Sequence, residues 1–220
     1  AVESNACLTF SREGSLTIGG FGRRDFFTYE QRFGGPGEVA GRVLLEAGTA
    51  SGREPTEVRQ LRSHLSEFLA NTRRSLGATD EVGFDMPLLH FRRTFVEKLF
   101  AIHAKVEIVK RDGAPLGSYA RHYYDLSVLA RTDEVRAMLR GDEYGHIKAD
   151  YDTISREHFS RDYFPPPGMS FATSDALFPV GALAASLGLE YERQCRQLCY
   201  GRYPSWREVL DRFEELRDVL

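Results

Sequence analysis

A chain of 220 residues with 42% hydrophobic content is long enough to bury a real core, as one large domain or two small ones. Its 29 basic and 32 acidic side chains leave a formal net charge of −3, which excludes a globally basic nucleic-acid binder and confines any RNA contact to a local patch. No run approaches the roughly 18 apolar residues of a membrane helix and no signal peptide is read, so the expectation is a cytoplasmic protein without membrane partners.

From Leu8 to Ala47 the pattern is that of strands, with Leu16-Thr17-Ile18, Phe26-Phe27-Thr28-Tyr29 and Val43-Leu44-Leu45 separated by turns such as Gly34-Gly35-Pro36-Gly37. A helix is expected after Pro55, where Val58, Leu61, Leu65, Phe68 and Leu69 form an apolar stripe that Gly77 ends. A short strand over Met86 to His90 returns the chain to the sheet. After Phe91 the pattern is helical nearly to the end, broken by the loop Pro165-Pro166-Pro167-Gly168. The first of these helices begins near Thr94 and carries Phe95, Leu99, Ile102, Val106 and Val109 as its apolar stripe. The loop Asp112-Gly113-Ala114-Pro115 leads to another helix starting near Ser118, and so short a connection requires the two to run antiparallel. The last helix opens with the capping box Ser205-Trp206-Arg207-Glu208 and buries Val209, Leu210, Phe213, Leu216 and Leu220. The three cysteines, Cys7, Cys195 and Cys199, form no Cys-x-x-Cys and are read as reduced thiols. The fold class is α+β: residues 1–90 form a sheet with one helix, and residues 91–220 form a helical domain.

Several polar residues fall where packing alone does not require them. Lys98 and Lys105 lie seven apart along the edge of the first long helix's stripe, and Arg121 and Asp125 lie four apart on the next helix. An isolated Arg/Asp pair of that spacing contributes only about 0.2–0.5 kcal/mol, and a lysine beside a stripe commonly snorkels to water. On adjacent antiparallel helices, however, Lys98 and the Arg121/Asp125 pair converge on a point where phosphates bind. Glu46 closes a short apolar strand, either as the strand's exposed end or as a carboxylate turned to a site. His103 and His122 read as structural groups. Arg59 and His64 imitate the Arg-x4-His signature of HEPN ribonucleases, but between strands and on a short helix, so the pattern is read as chance. Tyr119, Tyr123 and Tyr124 either stack a nucleobase or pack helices together.

Glu97-Lys98-Leu99-Phe100-Ala101-Ile102, a short loop, and Arg121-His122-Tyr123-Tyr124-Asp125-Leu126 resemble the C-terminal half of the AbiEii/AbiGii nucleotidyltransferase toxins of abortive-infection and type IV toxin–antitoxin systems. In that family the pattern is roughly Glu-Lys-Leu-x-Ala-Leu and then Arg-Asp-x-Tyr-Asp-Leu, so His122 replaces the first aspartate. Leu187-Gly188-Leu189-Glu190-Tyr191 and Tyr203-Pro204-Ser205-Trp206-Arg207-Glu208-Val209-Leu210 resemble the family's closing helices, and Val43-Leu44-Leu45-Glu46-Ala47-Gly48 its central carboxylate strand. The resemblance implies a partial nucleotidyltransferase-fold sheet followed by a helical C-terminal domain. It also implies transfer of a nucleotide from a nucleoside triphosphate to an RNA acceptor such as tRNA, in phage defence, with a cognate antitoxin as partner. Lys98 would contact the phosphates with support from Arg121, Asp125 would orient or deprotonate, and Glu46 would bind Mg2+ or help activate the attacking hydroxyl.

The superfamily's Gly-Ser or Gly-Gly turn followed by a strand with Asp-x-Asp is not found; Gly14-Ser15 followed by Asp25 lacks the second carboxylate, Phe27 standing in its place. With Ala1 first, the expectation is a partial chain whose metal-binding pair lies upstream, inactive alone and with a strand edge or apolar face left uncovered. The alternative is a non-catalytic helical module that binds RNA or an antitoxin.

Overall fold

The computed structural model describes residues 9–18, 22–31, 41–77, 81–199 and 201–220, over 10–18 as backbone alone. The turn expected at Gly34-Gly35-Pro36-Gly37 and Cys7 lie outside the described residues. The polypeptide divides into two units, one comprising Ala1–Gly52 with Phe95–Leu220 and the other Arg53–Thr94. The architecture is α+β, with two small antiparallel sheets, a short helix between the strands of the second, and helices from Phe91 onward.

In the first unit β1 (Thr9–Ile18), β2 (Gly22–Thr28) and β3 (Arg42–Gly48) form an antiparallel sheet in that order. Phe27 pairs with Phe10 on one side and Val43 on the other, and Arg24 lies opposite Glu46. The register of β1 against β2 shifts between Ser11 and Leu16, so Gly14-Ser15 falls at an irregularity within a strand and not on a turn before a helix. Val43, Leu44 and Leu45 on the edge strand β3 stay 49%, 44% and 53% exposed, an apolar strand without a described cover.

The second unit departs from the sequence reading. Thr56–Leu61 is a strand, β4, antiparallel to β5 (Phe84–Leu89), and only His64–Asn71 is helical, as α1. Two features explain the difference. The β-branched Thr56 and Val58 favour an extended backbone that β5 pairs at Leu89 and Pro87. Ser63 then starts the helix late, its side chain accepting from the Ser66 amide at 3.0 Å. The apolar stripe had merged a strand's residues with those of a helix. Arg59 sits on β4 and His64 opens α1, so the Arg-x4-His pattern does not share a helix.

In the first unit's helical part, α2 (Phe91–Asp112) buries Phe95, Leu99, Ile102 and Val106 completely, as the spacing predicts. The chain continues through a 3-10 helix, Gly117–Arg121, into α3 (His122–Leu129), and then α4 (Asp133–Leu139), α5 (Asp142–His158), α6 (Gly181–Leu198) and α7 (Trp206–Glu214). The capping box of α7 forms, with Ser205 and Glu208 satisfying each other's amides. One aromatic cluster ties α3, α6 and α7 together. Tyr123 meets Trp206 edge-on at 4.8 Å and Tyr191 at 6.4 Å, and its hydroxyl donates to the Ala176 carbonyl at 2.7 Å. Gly188 lets Trp206 approach α6: a Cβ there would stand 2.6 Å from the indole Cδ1. Cys195 and Cys199, at the end of α6, are free thiols.

A second cluster stacks Phe100 on Tyr151 at 4.5 Å and on the edge of Phe171 at 5.0 Å, with His103 beside it. Buried His103 shares a 2.7 Å hydrogen bond between Nδ1 and Ser174 Oγ. Burial, more than its charged neighbours Glu107, Lys110 and Asp175, holds the ring below the ordinary histidine value of 6.5. The unfolded chain therefore binds a proton that the folded one refuses. This group is neutral to stability above about pH 6.5 and costs stability as pH falls from there towards the lower folded value, by at most about 1.4 kcal/mol per pH unit. Thermal midpoints measured between about pH 7.5 and about pH 5.5 should decline in the wild type and decline less steeply in His103→Gln. Identical slopes would remove His103 as the cause.

Candidate functional site

The site is built where α2 meets the 3-10 helix and α3. Gly117 takes a left-handed φ of 63°, and the Leu116 and Gly117 amides donate to the two carboxylate oxygens of Glu190 on α6, at 3.2 and 2.7 Å. With its start held, the segment runs back along α2: Lys105 meets Tyr119, and Lys98 meets His122 and Asp125. Numbers that rise along α2 fall along its neighbour, so the two are antiparallel.

Lys98 Nζ lies 2.8 Å from Asp125 Oδ2 and 3.0 Å from His122 Nδ1, and His122 Nδ1 lies 3.7 Å from Asp125 Oδ2. Lys98 Nζ and His122 Nδ1 are within hydrogen-bond distance, with the ammonium as donor. The three side chains are 21%, 16% and 38% exposed, open enough to reach a ligand and buried enough to strengthen the pairing. Burial raises the Asp125 carboxyl, but hydrogen bonding and charge from His122 and Lys98 outweigh it and hold the group below the usual aspartate range. The 2.8 Å lysine contact is the closest, and His122 Nδ1 stands farther off at 3.7 Å. The result is an ionised carboxylate beside an ammonium with a third donor to spare.

The other sequence candidates fall elsewhere. Arg121 is exposed and is not part of the Lys98–His122–Asp125 cluster. It closes the 3-10 helix and stands directly before α3. Glu46 accepts from Arg24 Nε at 2.7 Å on the three-stranded sheet, and it lines a cavity of about 260 Å3 with Arg24, Ala47 and Phe159, whose lining includes neither Lys98 nor Asp125. Tyr123 is core and Tyr124 half-buried, whereas Tyr119 keeps 37% exposure. His122 was the residue that sequence reasoning set aside. Its signal was present, three residues before Asp125 on the face turned to α2.

Among the described residues no three His, Cys, Asp or Glu side chains gather as ligands for a cation. Asp125 is engaged by Lys98 and Glu46 by Arg24, so these residues do not by themselves fit a divalent ion. No helix of the described residues is long and apolar enough to cross a membrane.

No curated protein and no solved structure matches the chain. The family model described as nucleotidyl transferase AbiEii toxin, type IV TA system, matches residues 8–212, a span that holds the three-stranded sheet, the Lys98–His122–Asp125 cluster and the helices that support it. The chain belongs to the AbiEii family of nucleotidyltransferase toxins.

Proposed function

We propose that the chain serves a type IV toxin–antitoxin system by moving a nucleotide from a nucleoside triphosphate to an RNA acceptor, such as the 3′ end of a tRNA, with Lys98, His122 and Asp125 at the reacting groups. The observation that carries this reading is the 2.8 Å contact of Lys98 with Asp125 inside the matched span. Lys98 presents an ammonium to the triphosphate oxygens while two of its donors stay directed to Asp125 and His122. Asp125, kept ionised, orients the acceptor hydroxyl and takes its proton. The acceptor oxygen then bonds to the α-phosphorus as the bond to the departing pyrophosphate breaks. Arg121, exposed at the rim, adds positive charge for the incoming anion. No step is assigned to Mg2+, which the described residues do not fit; Glu46, expected as its ligand, has Arg24 as its partner. On this reading the protein acts in the cytoplasm, with a cognate antitoxin as the family's system implies.

The test is to incubate the protein with each α-labelled nucleoside triphosphate and cellular RNA, comparing the wild type with Asp125→Asn. Label should appear at RNA 3′ ends and fall by about 10²-fold or more in the variant, which keeps the side chain's shape and loses the base. Transfer unchanged in Asp125→Asn would overturn the site, and RNA or partner binding without transfer would favour the non-catalytic module.

A further inference from the structure

We propose that Tyr119 and Lys105 form a nucleobase-stacking subsite that receives the unpaired end of the acceptor RNA beside Lys98. This rests on the transferase reading above and names how the acceptor is held. Five side chains make a continuous track across α2 and its neighbour. Asp125 touches Lys98 at 2.8 Å, Lys98 touches His122 at 3.0 Å, the His122 ring meets the Tyr119 ring edge-on at 5.5 Å, and Lys105 Nζ sits 4.6 Å from the Tyr119 centroid. Lys98 and Lys105 are two helical turns apart, about 10 Å of rise, so the His122 and Tyr119 rings lie between two cations, with Asp125 beyond Lys98.

The chemistry of that order is specific. Tyr123, four residues on, is wholly buried and its hydroxyl is bound, so it is spent on the core. Tyr119 keeps 37% exposure and meets the His122 ring in a T-shaped contact. Lys105 is half-buried and, among the described residues, has no carboxylate partner; its one described partner is the tyrosine ring. An unpaired cation fixed on a half-open aromatic ring, beside a second cation, is the combination by which single strands are bound: stacking for the base and positive charge for the backbone. A duplex offers no free base face to such a ring, so the ligand is single-stranded. Held there, the terminal ribose would lie towards Asp125, where its hydroxyl is to be deprotonated.

The experiment measures binding of a fluorescein-labelled single-stranded RNA with a free 3′ hydroxyl to the full chain by anisotropy, with the same sequence as a duplex for comparison. Tyr119→Ala should weaken single-strand binding about tenfold or more, and Tyr119→Phe should restore it to within about twofold, which also shows that the position folds. Lys105→Ala should weaken binding and reduce the salt slope by about one. The duplex should bind more weakly than the single strand and respond little to Tyr119→Ala. No RNA binding by the wild type, equal affinity of Tyr119→Ala and wild type, or equal response of duplex and single strand would overturn the subsite. The two readings fail separately: transfer without Tyr119 dependence of RNA binding removes the subsite alone, and Tyr119-dependent binding without transfer removes the transferase alone.

Discussion

Lys98→Ala is expected to lower nucleotide transfer by about 10²–10³-fold while moving the thermal midpoint by only a few degrees. In the proposed reaction the large term is the loss of a positioned cation where charge develops on the phosphates, and nothing else in the described cluster replaces it. The small term follows from exposure. With side chains 21% and 38% exposed, the pair is still partly screened by water and contributes about 1 kcal/mol to folding. A second readout separates this role from a merely structural one. Lys98 is one of the groups holding the Asp125 carboxyl down, so the residual activity of the variant should lose its acid limb at a higher pH than the wild type. A variant that unfolds at ordinary temperature, or that keeps full activity, would end the assignment.

Tyr123→Ala is expected to have the opposite profile, a loss of about 3–5 kcal/mol of stability and a midpoint lower by roughly 10–15 °C. The ring is wholly buried between Tyr191, Trp206 and Phe213, and removing it empties the place where α3, α6 and α7 meet. Burial also keeps the phenol protonated, so it remains a donor to the Ala176 carbonyl. Tyr123→Phe keeps the rings and leaves that carbonyl without its partner, for a cost of about 1–3 kcal/mol. Chemical denaturation of the two variants measures both numbers. Equal small losses would mean that the cluster rearranges around the missing ring.

These contrasting profiles follow from what the sequence makes legible. Phe95, Leu99, Ile102 and Val106 recur at helical spacing over a long element, and all are buried. The Ser205 box needs only four consecutive residues, and it forms. The meeting of Lys98 with Asp125 was also readable, because a short loop between two helices leaves one orientation. What failed did so where neighbouring elements decide. Val58 and Leu61 match a helix stripe as well as a strand, and only pairing with β5 settles the matter. The partner of Glu46, Arg24, comes from the adjacent strand and is fixed by register, which the Glu46 strand alone does not reveal. His122 was passed over because its contact lies 24 residues back along the chain, on another helix.

The clamp of Glu190 on the Leu116 and Gly117 amides spans 73 residues between Gly117 and the carboxylate, and Trp206 and Phe213, which support Tyr123, come later still. A ribosome making this chain adds Lys98, His122 and Asp125 well before it adds the parts that hold them in register. A stalled or prematurely terminated product would thus contain every residue of the cluster and lack the frame that aligns them. Alignment of the cluster therefore comes late in synthesis, after Glu190, Trp206 and Phe213 have joined the chain.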